Sequence, residues 1–260
     1  MRVLFLGDVV GKPGRRAVRA LLPRLIDRER LDLVIANCEN AAGTAGIDPK
    51  SAHELLEAGV HVLTSGNHVW HDKGIADFIA TEPRLLRPAN FPPMVPGHGW
   101  TVCEAADGTP VAVANLLGRV FMDSVDCPFR VVESLLPELQ ARARIIVVDM
   151  HGEATSEKLA MGWFLMGKVA AVLGTHTHVQ TADERILEGT AYITDAGMCG
   201  PRDSVIGVRR EQVIRRLITR MPVKFEVAGG PVLIQGVVID IDAATGQAQS
   251  IRRLQELCDI

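Results

Sequence analysis

Aromatic side chains are scarce in this 260-residue chain: 3 Trp, 1 Tyr and 7 Phe leave the interior to Leu, Val, Ile and Ala. Charge of one sign is lacking too. A net charge of −3 excludes a general attraction to nucleic acid or to an anionic membrane. The 5 cysteines, Cys38, Cys103, Cys127, Cys199 and Cys258, include no Cys-x-x-Cys pair. That argues against a zinc ribbon or a disulfide framework and for a reducing compartment. No apolar run approaches the roughly 20 residues of a membrane span. The first apolar stretch is one strand long before it meets Asp8, so it does not read as a signal peptide. These absences leave a cytoplasmic chain without a membrane segment, with 1–260 as a single α/β domain.

What is present is a repeated juxtaposition. Five apolar runs end, and within one or two residues a metal-type ligand follows each. Val-Leu-Phe-Leu-Gly runs into Asp8, and Leu-Val-Ile-Ala-Asn-Cys into Glu39 and Asn40. Val-His-Val-Leu-Thr-Ser-Gly runs into Asn67 and His68. Ile-Ile-Val-Val-Asp-Met runs into His151, and Val-Ala-Ala-Val-Leu-Gly-Thr into His176, with His178 two positions on. In an open α/β sheet, ligands collect beyond the carboxyl ends of the strands. Five strands delivering O and N ligands to one edge would build a polynuclear metal site.

Apolar runs alternating with amphipathic stretches indicate βαβ units. Strands are predicted at 2–6, 33–36, 60–64, 111–116, 145–148, 169–173 and 191–194. Helices are predicted at 15–30, with a kink or late start at Pro23, at 49–58 and at 131–141. Another, capped by Thr155 or Ser156, runs to about residue 168. The proline-rich stretch 81–110 reads as a loop-rich crossing with a short strand at 100–104, and is a candidate contact between copies in a homo-oligomer. Residues 196–232, with a basic helix at 211–220, read as a small excursion beside the site. The end of the chain reads as a β-hairpin, 232–240 paired with 249–254.

The series Gly7-Asp8, Glu39-Asn40, Gly66-Asn67-His68, His151 and Gly174-x-His176-x-His178 resembles the calcineurin-like metallophosphoesterase superfamily. The longer strings beginning at Cys38, Met150, Gly174 and Met198 resemble its bacterial YmdB-like branch. The resemblance implies an α/β fold of the four-layer αββα sandwich type and a 2′,3′-cyclic-nucleotide phosphodiesterase. It also implies two divalent metal ions, iron or manganese, with zinc admitted by the mixed N/O donors. Glu39 would bridge them. Asp8, Glu39, Asn40 and His178 would hold one, and Glu39, Asn67, His151 and His176 the other. His68 would act as general acid while a bridging hydroxide attacks phosphorus, opening the ring at the 2′-oxygen.

The residues themselves agree with that chemistry. Two divalent ions against the charges of Asp8 and Glu39 leave a cationic site inside an acidic protein, which suits a phosphodiester. In place of the superfamily's Asp-x-His the chain has Asp8-Val9-Val10, and the branch it resembles implies Asn40 as the replacement; Val69 follows His68, so no adjacent carboxylate orients that imidazole. Arg202 and Asn115 are weak candidates for substrate contact, and His71 for the rim of the site. Asp149 and Glu153 read as partners of ligands rather than ligands. Gly7-x-x-x-Gly11-Lys12-Pro13 fails as a P-loop, which needs four intervening residues and Ser or Thr after Lys. Two other functions remain open: a phosphomonoesterase or nucleotidase on the same centre, and a metal-bearing regulatory protein that binds a nucleotide or RNA ends.

Overall fold

Val3 and Phe5 leave the first strand on one side, Leu4 and Leu6 on the other, and all four are fully buried. A strand apolar on both faces must be covered on both, and that requirement sets the architecture. The structure, a computed structural model, describes residues 1–259. The first half of the chain forms β1 (Arg2–Leu6), β2 (Asp8–Val9), α1 (Gly11–Glu29), β3 (Leu33–Asn37), α2 (Pro49–Glu57), β4 (Val62–Thr64) and α3 (Ile75–Thr81). Then follow β5 (Trp100–Glu104), β6 (Pro110–Leu117), α4 (Pro128–Arg142), β7 (Ile145–His151), α5 (Thr155–Phe164) and β8 (Ala171–Thr175). The chain ends with β9 (Arg185–Leu187), β10 (Thr190–Ile193), β11 (Met198–Pro201), α6 (Arg210–Thr219), β12 (Val232–Ile241) and β13 (Ala248–Cys258).

Two sheets face each other. One has the order β2-β11-β12-β1-β3-β4, with β13 also paired to β12; the second has the order β5-β6-β7-β8-β10-β9. Val3 and Phe5 meet Val113, Val147, Leu173 and Val237 in the layer between the sheets. Leu4 and Leu6 pack under α1, α2 and α3, and Ile146, Val148 and Val172 pack under α4 and α5. The result is four layers, helix–sheet–sheet–helix. No helix among the described residues is long and apolar enough to cross a membrane.

Several boundaries differ from the sequence expectation. Helix α1 starts at Gly11 rather than 15 and continues through Pro23. Pro13 falls in the first turn, where N–H groups have no intrahelical partner. Pro23 and Arg19 are exposed, so the Arg19 carbonyl deprived of its donor faces water. Neither Thr155 nor Ser156 caps α5; the cap position is Ala154, without a side-chain hydrogen bond. That helix stops at Phe164, ahead of Gly167 at φ +71°. Within 196–232, β11 joins the first sheet before the chain departs from it, and α6 buries none of its residues.

The step from β1 to β2 aims the first ligand candidate. The Gly7 N–H donates to the Gln235 carbonyl and the Asp8 N–H to the Gly197 carbonyl, so the chain leaves β12 to pair with β11. A Cβ on Gly7 would stand 2.0 Å from the Gly197 oxygen, a backbone atom that cannot swing aside. Gly7→Ala therefore forces the two segments apart. It is expected to lower unfolding stability by at least about 2 kcal/mol, read from urea denaturation; a wild-type midpoint would contradict the close-approach reading.

Candidate metal centre

Strands β1, β3 and β4 are parallel, as are β7 and β8, and all five deliver their following residues to one edge of the sandwich. Asp8 is fully buried, and its Oδ2 accepts the His176 backbone N–H at 3.0 Å. Its Oδ1 lies 3.6 Å from His178 Nε2 and 3.9 Å from His151 Nδ1, with no hydrogen-bond partner. Glu39, also buried, accepts the His68 backbone N–H on Oε1 at 2.6 Å, and its Oε2 lies 2.7 Å from His151 Nε2. His176 Nδ1 is 3.0 Å from that same His151 nitrogen. Asn40 Oδ1 is 3.3 Å from His178 Nε2. The Asn67 Oδ1 is buried without a partner.

The candidates thus fall into two adjoining groups. Glu39, His151 and His176 offer ligand atoms all within 4.8 Å of one another. Asp8, Asn40 and His178 form the other group. Gly66 makes the packing possible, since a Cβ there would stand 2.2 Å from the His151 ring and 2.5 Å from Glu39 Oε1. His176 and His178 leave β8 at φ +97° and +63°, left-handed conformations that non-glycine residues adopt at a cost and that gather at functional sites. That backbone turns both imidazoles toward the cluster instead of to opposite faces.

Hydrogen bonds on the far nitrogens fix the tautomers. His178 Nδ1 donates to the Ile206 carbonyl at 3.0 Å, leaving the Nε2 lone pair toward Asp8 and Asn40. His151 Nδ1 donates to Thr175 Oγ1 at 2.9 Å, and that hydroxyl donates to Asp149 Oδ1 at 2.7 Å. The His151 Nε2 lone pair then faces the Glu39 carboxylate and His176. Lone pairs and carboxylates facing one another at these distances need a cation between them, either a proton or a metal. This donor set of carboxylate, amide oxygen and imidazole, with two orphaned buried oxygens, fits divalent ions of intermediate hardness.

Without metal, protons serve instead. Burial pushes the Asp8 carboxyl up, but His178, His151 and the His176 N–H outweigh it and hold the carboxyl below its ordinary range. Glu39 is likewise lowered, with His151 and the His68 N–H overcoming burial. His151 rises to about 9, since Glu39, Asp8 and Asp149 outweigh its burial. Burial and the charge on His151 push His176 down to about 4.

His68 stands at the edge of the cluster, half-exposed. Burial lowers its pKa, with Glu39 opposing. Its Nδ1 lies 3.2 Å from Nε2 of the exposed His71. The orienting partner that Val69 does not provide is therefore an imidazole three residues on, a residue that the sequence places only at the rim.

A cavity of about 540 Å³ opens over Glu39, Asn40, His68, His176 and His178, and no Lys or Arg lines it. Ile206, Val208, Val213 and Phe225 form part of its wall. Arg202 does not reach it: the side chain is paired with Asp203 on the surface. Asn115 is fully buried outside the cavity, where its Oδ1 accepts the Ser65 N–H and steadies the loop that carries Asn67. A larger open groove of about 890 Å³ along β5, lined by Arg87 and Trp100, holds none of the candidate residues.

One supporting pair has no counterpart among the sequence expectations. Lys158, fully buried on α5, donates to Asp195 Oδ2 at 3.0 Å and to the Thr175 carbonyl at 3.1 Å. The same Asp195 oxygen accepts the Thr177 N–H, so the pair clamps the His176–His178 turn from below. The edge logic that marks the ligand candidates could have found Asp195, which follows the apolar run Ala191-Tyr-Ile-Thr194.

Two packed sheets covered by helices, with carboxylates, amides and imidazoles gathered at one edge, have the fold of a metallophosphoesterase. The chain belongs to the YmdB-like protein family, whose family model matches residues 4–254. It is 50% identical over 255 residues to the 2′,3′-cyclic-nucleotide 2′-phosphodiesterase of Bacillus subtilis, covering 98% of this chain and 96% of that one. A hypothetical protein from Thermus thermophilus superposes with a TM-score of 0.92 at 41% identity, covering 99% of each chain. A novel phosphatase from Mycoplasma pneumoniae gives 0.93 at 36% identity, covering 100% of this chain and 94% of that one.

Removing one partner of a buried ion pair strands the other charge. Lys158→Met is expected to cost about 3–5 kcal/mol of unfolding stability, and Lys158→Met/Asp195→Asn to recover part of it. Additive losses in denaturant titrations would argue against direct coupling.

Proposed function

We propose that this protein hydrolyses 2′,3′-cyclic nucleotides to 3′-nucleotides with two bound divalent metal ions, iron or manganese. The observation that carries the reading is a cluster of O- and N-donor side chains at a cavity without a single Lys or Arg. A phosphodiester anion entering that cavity needs positive charge, and the residues around it supply metal ligands instead of cations. The activity printed for the Bacillus subtilis relative supports the substrate class.

In this reading Asp8, Glu39, Asn40 and His178 would hold one ion, and Glu39, Asn67, His151 and His176 would hold the other. When bound, the ions supply positive charge for the phosphate and acidify water toward a pKa of about 7. Thr175 and Asp149 keep the His151 Nε2 free to coordinate, and the Ile206 carbonyl does the same for His178. His68 donates a proton to the departing 2′-oxygen. Burial lowers its pKa, which strengthens the protonated ring as an acid but makes that form scarcer at neutral pH, and His71, exposed and 3.2 Å from its Nδ1, lies between it and solvent.

A second reading, phosphomonoester hydrolysis, draws on the description of the Mycoplasma pneumoniae relative as a phosphatase. The name of the Bacillus subtilis relative, 50% identical to this chain, gives the cyclic diester the greater weight. Turnover of 2′,3′-cyclic AMP is accordingly expected to exceed that of AMP.

Three tests follow from the assignment. Elemental analysis should find two metal ions per chain in the wild type and fewer in Asp8→Asn. Manganese at about 100 times its Kd should raise stability by about 2.7 kcal/mol for each site filled, and chelation should reverse the gain. His68→Ala should retain both ions while kcat for 2′,3′-cyclic AMP falls about 10²–10⁴-fold, with 3′-AMP as the wild-type product. Full activity in that variant would remove His68 from the acid role, and 2′-AMP as product would reverse the assigned leaving oxygen.

A further inference from the structure

The cavity over the ligand cluster has two unlike sides. One is polar and belongs to the strand exits. The other is apolar: Ile206, Val208, Val213 and Phe225, all supplied by the stretch between β11 and β12. Phosphoester cleavage requires nothing of these four side chains, and none belongs to any of the three core clusters. Helix α6, which carries Val213, has no buried residue. Val208 is buried, but Ile206, Val213 and Phe225 stay exposed or partly exposed at the cavity, and apolar side chains held there have a ligand as their natural partner.

The wall is built to stay in place. Val205 and Val208 exchange backbone hydrogen bonds at 2.9 and 3.0 Å across Ile206 and Gly207, at φ +48° and +95°. Two positive-φ residues between paired ends make a tight hairpin turn. The carbonyl of Ile206 accepts from His178 Nδ1, so wall and ligand cluster share a fixed separation. Behind Phe225, the Arg216 guanidinium lies 5.6 Å from the ring centre, a cation–π contact that backs the aromatic plane.

The geometry points to this wall as the platform on which the nucleobase of the substrate rests while its cyclic phosphate lies over the ligand cluster. The inference depends on the phosphodiester reading of the site and adds what that reading leaves open, the part of the substrate that is recognised. Phe225 supplies the stacking surface, and Ile206, Val208 and Val213 supply apolar cover. None of the four side chains carries a hydrogen-bond donor or acceptor, so the wall holds any base by its face and reads none by its edge. Base–aromatic stacking of this kind tolerates every base. The four 2′,3′-cyclic nucleotides should therefore be used with similar KM, purines somewhat lower because their rings cover more of the wall.

The test compares ligands with and without a base. Equilibrium dialysis of manganese-loaded protein should retain adenosine 3′-phosphate about tenfold or more tightly than ribose 3-phosphate. Turnover should give the same ranking in KM for 2′,3′-cyclic AMP and ribose 2′,3′-cyclic phosphate. Phe225→Ala should shrink the difference to about threefold or less in both measurements, and Phe225→Trp, which keeps an aromatic face, should restore it; thermal unfolding checks that both variants fold. Equal binding of the two phosphates by the wild type would overturn the platform. So would a full preference surviving in folded Phe225→Ala. Because dialysis needs no turnover, it judges the platform even where neither cyclic phosphate is hydrolysed, a result that would sink the phosphodiester reading instead.

Discussion

A single buried carboxylate ties the two sheets together beneath the site. Asp149, on β7 of the second sheet, accepts from Asn37 at the end of β3 and from Thr64 at the end of β4, both in the first sheet. It also accepts from Thr175 on β8, the hydroxyl that orients His151. Burial pushes this carboxyl up to about 6 even with those donors in place, so the network holds a charge that the surrounding apolar layer disfavours. Such a group is tolerable only when its partners are fixed. Fixing them sets the register of four strand ends from two sheets, and the ligand candidates follow from those ends within a few residues.

Above that network, function divides between regular and irregular structure. The ligand candidates sit at strand exits, where the sheets hold their backbone. The apolar wall comes from a hairpin, an exposed helix and the segment carrying Phe225, joined to the cluster through the bond from His178 to Ile206. A rigid reaction site with a separately supplied recognition surface lets one chemistry accept different substrates. The lack of Lys and Arg in the cavity belongs to the same arrangement: its polar side carries carboxylate, amide and imidazole groups, and Ile206, Val208, Val213 and Phe225 give the other side apolar surface.

Much of this was legible in the chain. Apolar runs alternating with amphipathic stretches announced βαβ units, and each of five runs ended next to a residue now in the cluster. Elsewhere local pattern was overruled by context. Helix α1 absorbs Pro13 because first-turn amides need no intrahelical partner, and α5 begins without the hydroxyl cap expected of Thr155 or Ser156. Arg202 looked suited to phosphate but pairs with its neighbour Asp203, and Asn115 turned inward to hold a loop. Lys158 gave no distinguishing signal, since a lysine on a helix reads as a surface residue, and His71 was legible only as a residue of the rim, not as the neighbour of His68.

The sequence by itself determined the element types, the two-faced burial of the strands and the set of residues able to bind metal, because each is written in local periodicity and in the residue that follows each strand. Only the tertiary structure decided how those residues meet. Asp8 and His176 are 168 positions apart and joined by one hydrogen bond; no local pattern encodes that pairing. The tautomers of His151 and His178, the clamp of Lys158 on Asp195 and the cavity's apolar wall likewise depend on distances between elements. Those distances are fixed by packing two sheets face to face, a constraint that acts on the whole chain at once.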